Sequence, residues 1–252
     1  LRNLQIEDYK EFEKLQDRIK LQFQKEFMTA NGRLISDTQT AYILALQFDM
    51  IPGNLRAAAL ERLVNNIKSY QYHLTTGFLG TPFLNPVLTR FGRNDVAYAL
   101  LLQDTYPSWL YPVKAHGATT IWERWDSMKP DSTFQDPGMT SFNHYAYGAI
   151  GDWMYRTIGG IDTEEFDGAG YKQIVIKPEL GGKLSYAKTS LDTPYGKVST
   201  DWTVNLTGFT LKVEVPVNTS ATVILPPFGS NIRSQDGVQI TGDRVRIGSG
   251  SY

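Results

Sequence analysis

The sequence predicts a protein of two parts, an α-helical part over residues 1–160 followed by an antiparallel β-sandwich over residues 161–252. Two observations carry this prediction. Apolar residues recur every three or four positions in the first part, as on a helix with one buried face, whereas they alternate in the second part, as in half-buried strands. The period changes near Gly159-Gly160. Each part is long enough to bury a hydrophobic core of its own.

The helices follow from apolar spacing and from the residues that begin or end each helix. The first is predicted from Ile6 to Phe27, and Ser36 or Asp37 offers an N-cap for the second. Two glycines and two prolines predict a break from Thr75 to Pro86. A last helix is predicted to begin at Ser141, in the run FNHYAYGAIGDWMYRTIGG. The helices between these points are predicted over residues 38–48, 55–72, 84–91 and 95–103.

The strands of the second part are short, rich in Val, Ile, Thr and Tyr, and separated by Gly, Pro and Asn turns. Strands at this spacing are typical of a sandwich of antiparallel sheets. They are predicted over residues 172–177, 183–191, 197–204, 209–215, 221–225 and 244–247.

Composition excludes several classes of function. The chain has 25 basic and 26 acidic side chains, so electrostatics favour neither nucleic acid nor an anionic membrane as a partner. No apolar run approaches the roughly 20 residues of a membrane span. The chain has no Cys, and its 3 His are scattered without paired carboxylates at ligand spacing, so we expect no metal site and no cofactor.

One stretch, GATTIWERWDS, concentrates side chains that are able to do chemistry. Glu123 stands between Trp122 and Trp125 and beside Arg124. The indoles strip water from the carboxylate while the guanidinium stabilises its charge, and such opposed influences are typical of an acid or base in catalysis. Indole faces also pack on the less polar face of a sugar ring. The pattern therefore indicates a carboxylate that acts on a sugar.

A purely structural interpretation fits the same stretch equally well, because an Arg–Glu pair capping a packed aromatic turn has the same composition. Other candidates nearby favour structural roles. His73 is expected to cap a helix, and His116 to support the aromatic stretch. Asp131 and Asp136 lie in a long loop and are expected to be solvated, although a loop of this length also suits the rim of a pocket.

The run ATTIWERWDS resembles the bacterial α-L-rhamnosidases of glycoside hydrolase family 78, and so do YPSWLYPV before it, SFNHYAYGAIGDWMYRTIGGI after it and TGFLGTPFL earlier in the chain. The resemblance extends over nearly the whole chain. It implies that Glu123 is the general base that activates water and that His144 is a sugar ligand. It further implies that Trp125, and after it Trp122, hold the sugar while Arg124 orients Glu123 or a neighbouring loop.

The resemblance also implies a fold and a reaction. Catalytic domains of this family are (α/α)₆ barrels of twelve helices followed by a β-domain, so the chain would carry about half of the barrel, over residues 1–160, and the whole β-sandwich, over residues 161–252. The family's inverting exo-glycosidases remove terminal α-L-rhamnose, and their general acid lies in an Asp- and Arg-rich run of the earlier half. This sequence contains no such run and begins at Leu1 rather than Met. We therefore expect a piece of a longer protein that is inactive alone and dimerises through exposed helix faces.

Two other functions stay open at this level. The chain is also compatible with a carbohydrate-binding or structural module that holds sugar without catalysis. A different (α/α)₆ inverting glycosidase, such as a trehalase-like or glucoamylase-like enzyme, shares the implied fold, but its motifs match TTIWERWDS less well. An acid-bearing half encoded upstream would favour the enzyme over the binding module.

Overall fold

The chain forms two compact units, one ending at Gly148 and the other beginning at Ala149. The structure is a computed structural model that describes residues 8–138, 140–164, 168–227, 238 and 242–252. The first unit contains the long helices and the second contains the strands, which confirms the predicted order of an α part and a β part.

Over its described residues, the first unit is built on six α-helices. Helix α2 packs against α3 and α4, and α4 packs against α5. None of the helices in the described ranges combines the length and the apolar composition needed to cross a bilayer. The six helices are α1 (Tyr9–Phe27), α2 (Gln39–Gln47), α3 (Arg56–Ser69), α4 (Thr81–Arg90), α5 (Asn94–Leu101) and α6 (Leu110–His116). Their buried side chains include Tyr42, Ile43, Leu63, Leu84, Leu88 and Tyr98.

Helix α1 has the predicted helical period, but none of its residues is buried. Phe12 and Ile19 are 58% and 51% exposed. They line a groove between α1 and the end of α2, together with Phe48 and Met50. Ile6, where the sequence predicts the helix to begin, lies outside the described residues. The apolar stripe of α1 is therefore not buried in the core that the other helices form.

Two helix beginnings differ from the prediction. The side chain of Thr38 caps α2 by accepting a hydrogen bond from the N–H of Ala41, whereas the predicted cap Asp37 accepts one from the Tyr42 hydroxyl. Helix α4 begins at Thr81, inside the segment Thr75 to Pro86 that is predicted to be a break. The helix tolerates Pro82 because this residue lies in the first turn, where a main-chain N–H has no partner within the helix. Helix α6 has no counterpart among the predicted helices.

The prediction of a helix beginning at Ser141 is wrong. Residues 141–145 form no helix, and a 3₁₀ turn (Ala146–Ala149), a short helix α7 (Ile150–Trp153) and a π-helical turn (Met154–Ile158) follow. The N–H groups of Ser141 and His144 are instead bonded to residues some twenty positions earlier in the chain. Tertiary pairing has therefore overridden the local helical pattern.

The part of the second unit that the structure describes contains two four-stranded sheets, with strand orders β1-β2-β6-β7 and β3-β4-β5-β8. The strands are β1 (Ile161–Thr163), β2 (Gln173–Ile176), β3 (Tyr186–Thr193), β4 (Gly196–Asn205), β5 (Gly208–Val215), β6 (Ser220–Ile224), β7 (Arg244–Ile247) and β8 (Gly250–Ser251). Buried residues of both sheets, among them Ile174, Ile176, Val198 and Val213, form one core.

One strand pair corrects the prediction of purely antiparallel sheets. Strands β2 and β6 run parallel, with Gln173 opposite Ser220, whereas every other pair between these strands is antiparallel. Alternation of apolar and polar residues is the same in both kinds of pair, so the sequence pattern does not distinguish them.

Candidate active site

Two chain segments, residues 120–123 and 141–144, run side by side in the first unit. The N–H of Glu123 donates to the carbonyl of Ser141 at 2.9 Å, and the N–H of His144 donates to the carbonyl of Ile121 at 2.8 Å. The hydroxyl of Thr120 donates to the carbonyl of Phe142 at 2.5 Å. This ladder brings the segment that carries Glu123 next to the segment that carries His144, which the sequence alone does not show.

The Glu123 side chain is partly exposed, so it is not sealed in the core. Its Oε2 atom accepts a hydrogen bond from the main-chain N–H of Ser141 at 2.7 Å. Its Oε1 atom has no hydrogen-bond partner among the described residues. One carboxylate oxygen is thus held in place while the other is free to meet a ligand or a water molecule.

Of the two roles that the resemblance implies for Arg124, orienting Glu123 or a neighbouring loop, its contacts agree with the second. Its Nε atom donates to Oδ1 of Asp126 at 3.1 Å, so it forms its ion pair with Asp126 rather than with Glu123. Its main-chain N–H donates to the buried hydroxyl of Ser127, which in turn donates to its carbonyl. Arg124 therefore stabilises the turn after Glu123, and the orientation of Glu123 comes from Ser141.

Trp125 is fixed on three sides. Its indole N–H donates to the carbonyl of Thr76 at 2.7 Å. Its ring stacks on Tyr147, with centroids 3.9 Å apart and an interplanar angle of 3°, and meets Trp109 edge to face at 5.5 Å. The indole stays partly exposed, so the predicted sugar contact remains open to it. The segment that contains Thr76 thus supports the site through a main-chain carbonyl.

Trp122 is only 6% exposed, which leaves little of its indole for the sugar contact that the resemblance implies. Its ring packs against Phe142, with centroids 5.1 Å apart, and against His116 at 5.8 Å. His116 also bonds to the Tyr111 hydroxyl at 2.9 Å, as expected for a residue that supports the aromatic stretch. Trp122 therefore anchors the Glu123 segment to the core.

The imidazole of His144 lies in a stack of parallel rings. The Phe78 ring is 4.9 Å away at an angle of 9°, and the Tyr145 ring is 5.5 Å away at 4°. The N–H of Ala146 donates to Nδ1 at 3.3 Å. Because Nδ1 accepts, the neutral ring carries its proton on Nε2. The arrangement presents an N–H donor that is suited to a sugar hydroxyl.

Tyr147 is a residue of this site that the sequence reasoning missed. It is 6% exposed beneath Trp125. Burial raises the pKa of the Tyr147 phenol, the charge of Asp126 raises it further, and Arg124 opposes them. The hydroxyl is therefore a neutral group near neutral pH. Its only signal in the sequence is its place three residues after His144 in the run FNHYAYG.

The other candidate residues have local partners. Asp131 accepts hydrogen bonds from the N–H and the hydroxyl of Thr133, which lower the pKa of its carboxyl, and Asp136 accepts one from the N–H of Gly138. His73 bonds to the carbonyl of Tyr70 just after α3. In the described ranges, no cluster of three or more His, Asp or Glu side chains is arranged to hold a metal ion.

Comparison with known proteins identifies the family. Residues 3–158 match the model of the bacterial α-L-rhamnosidase 6 hairpin glycosidase domain, and residues 160–239 match that of the bacterial α-L-rhamnosidase C-terminal domain. The α-L-rhamnosidase of Streptomyces avermitilis is 46% identical over 244 residues, which is 93% of this chain and 23% of that protein. An α-L-rhamnosidase of Alteromonas sp. is 42% identical over 87% of this chain and 24% of its own length.

Solved structures agree with these matches. The S. avermitilis α-L-rhamnosidase complexed with L-rhamnose aligns with a TM-score of 0.82 at 45% identity, covering 93% of this chain and 23% of that one. The native α-L-rhamnosidase of Aspergillus terreus aligns with a TM-score of 0.87 at 40% identity, covering 98% and 27%. The chain thus spans about a quarter of the length of these relatives. The matched motifs, domains and folds agree, and the chain belongs to the bacterial α-L-rhamnosidase family of glycoside hydrolases.

Proposed function

We propose that this chain supplies the general base of an inverting exo-glycosidase that removes terminal α-L-rhamnose from glycosides or polysaccharides. The observation that carries the proposal is the ladder between residues 120–123 and 141–144, which fixes the carboxylate of Glu123 beside the segment of His144. Family membership supports the reaction class, and the relative complexed with L-rhamnose supports the sugar.

In the proposed mechanism, the free Oε1 atom of Glu123 takes a proton from a water molecule as the water attacks the anomeric carbon. The Nε2–H of His144 donates to a hydroxyl of the rhamnose. The exposed part of the Trp125 indole packs against the less polar face of the sugar. Trp122 and Arg124 hold the loop and do not touch the substrate.

An inverting glycosidase also needs a carboxylic acid about 6.5–9.5 Å from the base to protonate the leaving oxygen. We assign this acid to another part of the whole protein, of which the chain carries about half of the (α/α)₆ barrel. The isolated chain should then show no turnover of a chromogenic α-L-rhamnoside. Turnover at the rate of a full-length relative would contradict this assignment.

Replacement of Glu123 in the full-length parent tests the base directly. Glu123→Gln should lower kcat by about 10²- to 10⁴-fold, the usual contribution of a general base, with an unchanged circular dichroism spectrum. Asp131→Asn, at an exposed acid of the same region, is the matched control and should leave kcat near normal. In Glu123→Ala, azide should restore turnover and yield a rhamnosyl azide of inverted configuration, because azide needs no base.

A nearly normal rate for Glu123→Gln would remove this residue from the mechanism. A parent protein that binds rhamnose tightly without any turnover would instead favour the carbohydrate-binding module.

We further propose that the apolar face of α1 is covered in both settings. In the whole protein, the remaining helices of the six-hairpin domain would cover it. In the isolated chain, a second copy would do so, because Phe12 and Ile19 leave an apolar groove beside Phe48.

A further inference from the structure

The carboxylate of Glu123 is held by the main chain of Ser141 through a reciprocal pair of hydrogen bonds. The N–H of Ser141 donates to Oε2 at 2.7 Å, while the carbonyl of Ser141 accepts from the N–H of Glu123 at 2.9 Å. The side chain and the main chain of Glu123 are thus both hydrogen-bonded to Ser141. We propose that the main-chain N–H of Ser141 is the positioning group that aims the free Oε1 of Glu123 at the attacking water. This inference rests on the proposed role of Glu123 as base.

A base needs this kind of support because a glutamate side chain has three rotatable bonds, whereas proton transfer needs the oxygen to lie within hydrogen-bond reach of the water. The neighbouring guanidinium does not provide the support, since Arg124 pairs with Asp126. A main-chain donor cannot change rotamer, so it fixes the carboxylate more firmly than a flexible side chain would.

The Ser141 segment is itself held in place on both sides. The Ser141 hydroxyl accepts from the N–H of Asn143 at 3.1 Å, and the next residue, Phe142, accepts from the Thr120 hydroxyl. The Phe142 ring packs against Trp122 at 5.1 Å and against Phe134 at 5.6 Å. Movement of the N–H away from Glu123 would therefore break several contacts together.

The same segment ends at His144, whose N–H is bonded to Ile121, two residues before Glu123. The spacing between base and proposed sugar ligand is consequently set by backbone pairing rather than by two independent side chains. This predicts that loss of the Ser141 N–H disturbs the aim of Glu123 but leaves the sugar contacts in place.

Two variants of the full-length parent remove the N–H and keep the carbonyl. Ser141→Pro is the simple one. Replacement of residue 141 by the α-hydroxy acid analogue of serine, which turns the amide into an ester, removes the donor without adding a ring. We expect kcat to fall by about 10- to 100-fold, the cost of a misplacement near 1 Å, while KM for an aryl α-L-rhamnoside changes less than about threefold. Ser141→Ala keeps the N–H, so its kcat should be at least tenfold higher than that of Ser141→Pro.

The matched control is the same ester replacement at Gly138, whose N–H donates to the Asp136 carboxylate at 2.9 Å in an exposed turn. It removes an equivalent bond outside the site and should leave kcat and KM unchanged. The ester variant decides the outcome if proline disturbs folding.

A wild-type kcat in the ester variant at 141, or a raised KM with unchanged kcat, would overturn the proposal. If Glu123→Gln retains its rate, the proposed function fails instead. A slow Glu123→Gln beside a normal ester variant would reject only the positioning role.

Discussion

Four consecutive carbonyls, from Thr157 to Gly160, are bonded to later parts of the second unit. Ile158 accepts from the buried indole N–H of Trp202 at 2.7 Å, and Gly159 accepts from the hydroxyl of Thr200 at 2.7 Å. The carbonyls of Thr157 and Gly160 accept main-chain N–H groups at 2.8 Å. We therefore expect this segment to fold with the strands, although the sequence places a domain boundary at residue 160.

Thr200→Val tests this expectation because valine keeps the shape of threonine and removes the hydroxyl. Thr200 is 2% exposed, so the carbonyl of Gly159 would stay buried without this donor. An unsatisfied buried polar group costs about 1–3 kcal/mol, so the free energy of unfolding of the second unit should fall by that amount. Thr203→Val, on an exposed position of the same strand, is the control and should change it by less than about 0.5 kcal/mol.

Hydrogen exchange followed by mass spectrometry measures this unit separately from the helices. Peptides that cover β4 should exchange about 5- to 150-fold faster in Thr200→Val than in wild type, which is the same free energy expressed as a rate ratio. Equal exchange in Thr200→Val and Thr203→Val would show that the hydroxyl does not hold Gly159, and would refute the assignment of this segment to the strands.

Two further predictions concern the first unit. The isolated chain should dimerise in sedimentation equilibrium, and Ile19→Lys should raise the dissociation constant of the dimer at least tenfold, because burial of an isoleucine is worth about 1.5–3 kcal/mol. Leu21→Lys, outside the groove, is the control. A chain that is monomeric throughout would contradict the dimer. The pKa of Tyr147 is raised above the value of about 10 that it has in the unfolded chain. The stability linked to this shift is fully present below about pH 10 and is lost as pH rises through the folded-state pKa, so the Tm of Tyr147→Phe should fall less than that of wild type between about pH 8 and pH 11. The control Tyr186→Phe, at an exposed site, should not differ from wild type.

Elements with a clear period and clear ends were predictable from the sequence. Strand β7 has its predicted bounds, and β5 lies within one residue of them. Helices α2 and α5 are likewise within two residues at each end. Their limits depend on turn residues and on spacing within a single segment, which a sequence displays directly.

Features that depend on distant pairing were not predictable. The run after Ser141 has helical spacing, yet residues 141–145 form no helix, because residues 141–144 are paired with residues 120–123, and no local rule contains that partner. The site shows the same division. Motif and chemistry singled out Glu123 and His144, whereas the donor from Ser141 is a main-chain N–H, which every residue except proline has, and so leaves no mark in the sequence.

The geometry around Glu123 also bears on the proposal that the general acid lies in another part of the whole protein. A general acid has to hold a proton when the sugar binds, and the nearest acid along the chain, Asp126, is the anionic partner of Arg124. Asp131 and Asp136 are occupied by local donors in their own turns. These acids stabilise the loop that carries the proposed base. This is the arrangement expected if that loop forms one wall of the active site and if the proposed general acid stands on a facing wall, contributed by another part of the whole protein.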